Sequence, residues 1–437
     1  MKPHTTAFVV IWLLPVGPAF AQSATAGRQL TLAALQHNAV DSDPRTRELA
    51  LQEQQSALRQ RNISAERLPA VAVEGTGQYQ SDVPTAPFTL PNGQPLFSPP
   101  KTTLDGHVQV QQRLYDPSLS ARAALERAQL DENQARVQTA LYAQRQMVND
   151  AFFAAALLQQ RAEALDATIA DLEARLREAE TRAREGAALA SDAAAVEATL
   201  LQRRQDASAI RADRRAALAR LSRLTGSAIA EADVLVLPDT AAAVADARRA
   251  PDDLRSRPEY TQFSRSRERI AQQQSAATAQ ELPRVSAFAR VGYGRPGLNF
   301  ISDQFETYGL GGVQLQWTAW SWGVPSRERE ALALQQQIVD ADQAAFTRSL
   351  GEAIEGDLGS IDRLRDALKD DDRIVALRES IERTTKARLD EGVVTAADYL
   401  ERSAELLQAR INRVSHEVEL AQTGARILTT LGIEVKP

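Results

Sequence analysis

Leu68-Pro69-Ala70-Val71-Ala72-Val73-Glu74-Gly75-Thr76-Gly77-Gln78-Tyr79 returns, 214 residues later, as Leu282-Pro283-Arg284-Val285-Ser286-Ala287-Phe288-Ala289-Arg290-Val291-Gly292-Tyr293. In the first stretch Val71, Val73, Gly75, Gly77 and Tyr79 alternate with Ala72, Glu74, Thr76 and Gln78. In the second, Val285, Ala287, Ala289, Val291 and Tyr293 share one face. A period of two with one apolar and one more polar face marks a strand. The segments that follow alternate as well: Val108, Val110 and Leu114 against His107, Gln109, Gln111 and Arg113, then Val313, Leu315, Trp317 and Ala319 against Gln314, Gln316 and Thr318. The expectation is two hairpins, with strands over about 70–80 and 107–115 and over about 284–294 and 308–320.

The repetition extends beyond the strands. Val108-Gln109, Gln111 and Arg122 return as Val313-Gln314, Gln316 and Arg327, displaced by 205, and Glu185-Gly186, Asp192 and Gly226 return as Glu391-Gly392, Asp398 and Gly432, displaced by 206. A displacement that is constant within blocks and jumps between them is the signature of a duplicated unit with insertions. The connection from Ser81 to Leu104, with Pro84, Pro87, Pro91, Pro95, Pro99 and Pro100, cannot be regular structure. It exceeds its partner near 295–307 by 214 − 205 = 9 residues.

Strands of nine to eleven residues with this alternation suit an outer membrane, where lipid wets one face, water the other, and aromatics mark the headgroup levels. Tyr79 and Tyr293 then belong to the outer level; Tyr115, Trp320 and Trp322 end the descending strands at the inner one, with Trp317 in the same belt. A soluble two-sided sheet is the competing reading of the same pattern. Four strands cannot close a barrel, and open edges in lipid leave backbone groups unpaired, so a membrane sheet of this kind requires several copies.

Most of the remaining chain reads as helix, rich in Ala, Leu, Gln, Glu and Arg. No glycine or proline falls between Ser118 and Arg184, which predicts one helix over about 118–184, roughly 100 Å long. Its twin is expected over about 326–390, weakened in the middle by Gly351, Gly356 and Gly359. Shorter helices flank each long one, over about 45–67 and 191–224 in the first half and about 395–431 in the second. In the last of these, Leu400, Ala404, Leu407, Ile411, Val414, Val418, Ala421, Ala425 and Leu428 form a heptad seam suited to coiled-coil contact. The division is therefore a first repeat over 22–226, a linker over 227–256, a second repeat over 257–432 and a tail over 433–437.

Composition removes several classes of function. The 437 residues include no cysteine, only four histidines (His4, His37, His107, His416) and two methionines, with a mean hydropathy of −0.33. Zinc-thiolate sites, disulfides and thiol nucleophiles are excluded, and a histidine-based metal or catalytic constellation is not expected. A net charge of −6 and a pI near 5.5 argue against nucleic-acid binding. No Gly-x-Ser-x-Gly elbow, His-Glu-x-x-His pair or phosphate-cradling loop is present, so neither an enzyme nor a cofactor is expected. Lys2, the apolar run Ala7 to Leu14 and Ala19-Phe20-Ala21 read as a signal peptide over 1–21, with a short membrane anchor as the alternative. Without cysteine, the mature N-terminus has no lipid anchor. No later segment has the roughly 20 consecutive apolar residues of a spanning helix.

With the signal peptide, the doubled helix–hairpin–helix units, Leu-Pro before each ascending strand, and a Gly turn followed by Asp at the end of each long helix, the chain resembles the TolC-type outer membrane efflux proteins. Leu30-Thr31-Leu32 with Asp43-Pro44, and Arg257-Pro258-Glu259, look like the opening segments of that family's two halves. The resemblance implies a homotrimer: a 12-stranded outer-membrane β-barrel continued by a 12-helix periplasmic α-barrel, mostly α with transmembrane β. It implies an exit duct of a tripartite efflux or type I secretion system of a Gram-negative bacterium, passive in itself. Its partners would be a periplasmic adaptor, an inner-membrane transporter of the RND or ABC type, and outer-membrane lipid. A periplasmic adaptor protein is the alternative, disfavoured by two long hairpins and paired amphipathic strands.

The resemblance places function at the two hairpin tips, at Glu185 and Gly186 and at Glu391 and Gly392, where an adaptor would make contact. Bland helix-terminus chemistry also explains Gly and Asp here. Asp398 and Glu401 are i, i+3 neighbours on one helix face, and by resemblance they match an acidic ring at the aperture, with Asp192 as the first-repeat counterpart of Asp398. Where the best-known family member has a latching aromatic and arginine, this chain has Leu389 and Val394, so the family's polar latch is not expected. The triplet Asp370-Asp371-Asp372 reads as a solvated helix face.

Overall fold

The computed structural model describes residues 27–435, apart from 85–87, 89–90, 92–98, 187–188, 250–255 and 299–302. The signal-peptide assignment and half of the proline-rich connection lie outside the described residues, and the end of that connection is already strand, which begins at Thr102 and not at the expected 107 because residues 102–106 pair with 75–79.

The chain opens with β1 (Gln29–Thr31), α1 (Leu32–Asp41) and α2 (Arg45–Ala65), then the hairpin β2 (Ala70–Tyr79) and β3 (Thr102–Tyr115). The long α3 (Pro117–Arg184) and α4 (Ala190–Thr225) complete the first unit. After β4 (Val234–Val236) and α5 (Ala241–Arg249) the pattern repeats as α6 (Pro258–Ala279), β5 (Arg284–Arg295), β6 (Glu306–Gln316), α7 (Val324–Asp390) and α8 (Ala396–Leu431).

Local chemistry sets these boundaries. Asp116 caps α3, its carboxylate accepting from the Ser118 amide at 3.0 Å, and Pro117 takes the first helical position, where a missing N–H costs nothing. α4 and α8 both end on glycines in the left-handed region, Gly226 and Gly432. The middle of α7 does not weaken at Gly351, Gly356 and Gly359: the helix is continuous, and the positions of the three absent β-carbons are open space. Packing of α7 along α8 outweighs a glycine penalty of about 1 kcal/mol each.

The second descending strand differs from the expected 308–320. β6 ends at Gln316, because its partner β5 begins at Arg284, directly opposite, and leaves residues beyond Gln316 without a neighbour. Trp317 therefore leaves the sheet, its indole N–H donating to the Glu281 carbonyl at 3.1 Å.

The four long strands form one antiparallel sheet in the order β2-β3-β5-β6. Directly opposed residues share a face, so the pairing separates a polar face from an apolar one. Glu74, Thr76, Gln78, Asp105, His107, Gln109, Gln111, Arg290, Tyr308 and Gln314 share the first; Val71, Val73, Val108, Val110, Val291, Val313 and Leu315 share the second. The apolar face is bare: Val73 is 80% exposed and Val313 68%. β2 and β6 are the open edges, and they run in opposite directions.

On the helical side α3 packs against α2 and α4, and α7 against α6 and α8. The two halves meet where α3 touches α6 and α8. The largest buried cluster lies where β1 pairs in parallel with β4, and joins Leu32 and Leu35 of α1, Phe152 and Phe153 of α3, Leu221 of α4, Leu235 of β4 and Leu428 of α8. A buried amide chain crosses it: Gln36 donates to Asn149 (2.6 Å), and Asn149 donates to the Thr429 hydroxyl (2.9 Å). Asp371 is not part of a solvated face. It is buried against α8, 2.6 Å from His416 Nδ1, while Asp372 meets Arg413 at 2.6 Å. No helix among the described residues is long and apolar enough to cross a membrane.

Candidate functional site: the hairpin tips

At the end of α3, Glu185 caps the helix and Gly186 turns the chain with φ +71°; at the end of α7, Glu391 and Gly392 (φ +73°) do the same. The left-handed conformation is open to glycine and strained for a β-carbon. At the second tip the Val393 amide donates back to the Arg388 carbonyl at 2.9 Å and the Gly392 amide to Leu389 at 3.0 Å, closing α7. All four tip residues are exposed, as are Leu189 and Val393 beside them.

The start of α8 is a capping box. Asp398 Oδ2 accepts from the Thr395 amide (2.9 Å) and the Thr395 hydroxyl (2.7 Å), and the Asp398 amide donates to Thr395 Oγ1 (3.3 Å). Those bonds, the Thr395 hydroxyl first, hold the Asp398 carboxyl below its ordinary range. The carboxylate is thus exposed, charged and turned back onto its own helix end. Glu401, one turn on, is also exposed, 3.5 Å from Arg402.

Asp192 is placed elsewhere. It lines a groove between the two tips, about 460 Å³, together with Leu189, Val196, Leu389, Asp390 and Val394. Asp398 and Glu401 do not line that groove. The first-repeat acid and the second-repeat pair therefore do not gather in one place within a chain.

The groove is floored by residues that sequence reasoning missed. Arg175 of α3, 7% exposed, donates to Glu178 (2.6 Å) and to Asp390 at the end of α7 (3.0 Å). Its guanidinium lies 5.2 Å from the ring centre of Tyr399, which is fully buried. The Tyr399 hydroxyl donates to Asp171 of α3, and burial pushes this phenol far above its ordinary range. Lys386 of α7 stands 3.7 Å from the same Asp171. The Arg175–Asp390 and Lys386–Asp171 pairs and the phenol bond run from the first hairpin to the second. One signal was available: Leu165, Thr168, Leu172 and Arg175 follow 3-4-3 spacing, which sets Arg175 in the buried stripe of α3.

The expected membrane-interface aromatics are all exposed: Tyr79, Tyr293, Tyr115, Trp317, Trp320 and Trp322. Tyr79 and Tyr293 stand at the loop end of the sheet and the others at its helix end, with Trp320 and Trp322 edge to face at 5.9 Å. Among the described residues no group of three or more His, Cys, Asp or Glu side chains is arranged to hold a metal ion.

No protein-family model matches the chain, and no curated protein matches it in sequence. Solved structures do. The outer membrane protein VceC from Vibrio cholerae aligns with 16% identity over 93% of this chain and 97% of that one, TM-score 0.65. CusC, solved in a study of transmembrane channel formation, aligns with 14% identity over 97% and 99%, TM-score 0.68. The open state of the Neisseria gonorrhoeae MtrE outer membrane channel aligns with 15% identity over 93% and 89%, TM-score 0.65. The chain has the fold of the TolC-type outer membrane channels over 93–97% of its length.

Proposed function

We propose that this protein is the outer-membrane exit duct of a tripartite efflux or type I secretion system, working as a homotrimer. The observation that carries the reading is the sheet. Its apolar face is bare, its other face is polar, and its two edges are open and antiparallel to one another. Moving one such Val or Leu side chain from water into lipid is worth roughly 1.5–3 kcal/mol. β6 of one copy can pair with β2 of the next in the antiparallel sense that β2-β3, β3-β5 and β5-β6 already use, and three copies close twelve strands with no edge left in lipid.

The helices support the same assembly. Leu51 and Leu58 of α2, and Leu334, Ile338, Ile374, Leu377 and Ile381 of α7, are exposed along the rod, which suits contact between neighbouring copies. Export by the N-terminal signal peptide, a periplasmic helical tunnel and docking of an adaptor on the tips at Glu185, Gly186, Glu391 and Gly392 belong to the same proposal, with an RND or ABC transporter supplying the energy. Three copies of Asp398 and Glu401 would surround the aperture with carboxylates and favour cations. The Arg175–Asp390 and Tyr399–Asp171 ties would hold the hairpins together at rest, in a chain that has Leu389 and Val394 at the family's latch positions. An adaptor role is not favoured, because a soluble adaptor has no use for a bare lipid-like sheet face.

The test is fractionation and reconstitution. The protein should co-purify with outer membranes as a heat-sensitive trimer and open discrete channels in planar bilayers. A soluble monomer that opens none would overturn the reading.

A further inference from the structure

The polar face of the sheet carries a belt of polar side chains that runs from one edge strand to the other and is hydrogen-bonded from β6 to β3. Glu74, His107, Gly292 and Tyr308 occupy one row across β2, β3, β5 and β6, at mid-height. Asp105, with Thr76, Gly294 and Glu306, occupies the next row toward the loop end. Tyr308 lies flat across β5. A β-carbon at Gly292 would sit 2.5 Å from its ring, and one at Gly294 would sit 2.8 Å from the Asp105 carboxylate. Through this slot the Tyr308 hydroxyl reaches over β5 and donates to Asp105 Oδ1 at 2.5 Å.

The other oxygen of Asp105 meets His107 Nδ1 at 2.6 Å. The imidazole side chain is only 5% exposed, and its Nε2 has no hydrogen-bond partner although it stands 3.4 Å from Glu74 Oε2. With Nδ1 donating to Asp105, the ring turns Nε2 toward the Glu74 carboxylate. The groups facing the ring are therefore Glu74 from β2, Asp105 from its own strand and, across Gly292, Tyr308 from β6. Arg290 of β5, on the same face, is bonded to Gln109 at 2.7 Å. Charge on the face is graded: Glu74, Asp105 and Glu306 lie at mid-height or toward the loop end, with Arg290 beside them, and Arg113 and Arg284 lie at the helix end.

We propose that Glu74, Asp105, His107 and Tyr308 form a cation-attracting collar inside the barrel, a selectivity station separate from the hairpin tips. This rests on the duct reading, since three copies must close the belt into a ring. The ligands are small cations in transit. Nothing in the belt overlaps the tip carboxylates, which lie beyond the full length of α3 and α7.

Reversal potentials of the reconstituted trimer under a salt gradient test the collar. Glu74→Gln and Asp105→Asn, which remove a charge and keep the side chain's size, should each lower the cation-to-anion permeability ratio by about twofold. The heat-sensitive trimer band confirms assembly of each variant, and either carboxylate variant alone suffices. Open channels with an unchanged ratio in the carboxylate variants would overturn the collar while leaving the duct standing. A wild-type protein that opens no channel overturns both.

Discussion

Tyr399 of the second hairpin is fully buried and donates its hydroxyl hydrogen bond to Asp171 of the first, one turn above a tip that is otherwise exposed. The bond crosses from α8 to α3 beside the Arg175–Asp390 pair, so the two hairpins are tied just short of their ends. Tyr399→Phe keeps the packing and removes the bond, and should cost about 1 kcal/mol of stability. Arg175→Ala removes both the ion pairs and the guanidinium over the ring, and should cost about 1–3 kcal/mol. If the tie restrains the aperture, both variants raise single-channel conductance. Equal conductance to wild type in both would assign the tie to folding alone.

Charge and capping can be separated at the start of α8. Thr395→Ala breaks the capping box and should destabilise the helix start by about 1 kcal/mol, with Thr395→Ser restoring it. Glu401→Gln leaves the cap intact and should reduce cation preference without a change in thermal stability. Asp398→Ala mixes the two effects, since its carboxylate serves the cap as well as the surface. The measurements are thermal unfolding and reversal potential, read side by side.

Gly292 is required by what lies over it. Gly292→Val should push the Tyr308 phenol off the wall and into the bore, lowering conductance, and the double variant Gly292→Val, Tyr308→Ala should recover it. A double variant as poorly conducting as the single one would show that the loss comes from distortion of β5 instead.

Asp233 anchors the N-terminal strand. Hydrogen bonds from the Arg28 guanidinium, and then from the Ala230 amide, hold its carboxyl well below the ordinary carboxylate range. Because the folded-state value lies below the unfolded one of about 3.9, this stabilisation is complete above that pH and is lost as pH falls through the folded value. Asp233→Asn should therefore be destabilised by about 1–3 kcal/mol at neutral pH, and the gap to wild type should close only below about pH 4. Urea melts at several pH values would show it; a gap that closes near neutrality would contradict the assignment.

Duplication, hairpins and long helices were legible because they depend on periodicity within a segment. Val71 to Tyr79 and Val285 to Tyr293 declare their faces without reference to anything else. What escaped depends on how segments meet. Gly351, Gly356 and Gly359 were read as weak points, but the pairing of α7 with α8 decides the matter. Asp371 looked solvated because its neighbours Asp370 and Asp372 are charged, and only the rotation of α7 brings it to His416. The β6 boundary follows from where β5 starts. At the tips the capping function of Asp398 was half visible as generic helix-end chemistry; the spacing of Arg175 showed only that it lies in a buried stripe, and its meeting with Tyr399 across two hairpins left no mark in either segment.

The two open edges of the sheet also make assembly its own checkpoint. A lone chain exposes two rows of unpaired backbone groups beside a bare apolar surface, a combination that neither water nor lipid satisfies. Each chain brings an even number of strands, so every added copy preserves the alternation of direction, and only ring closure removes the last mismatch. In the proposed trimer, insertion before closure would be penalised at the backbone.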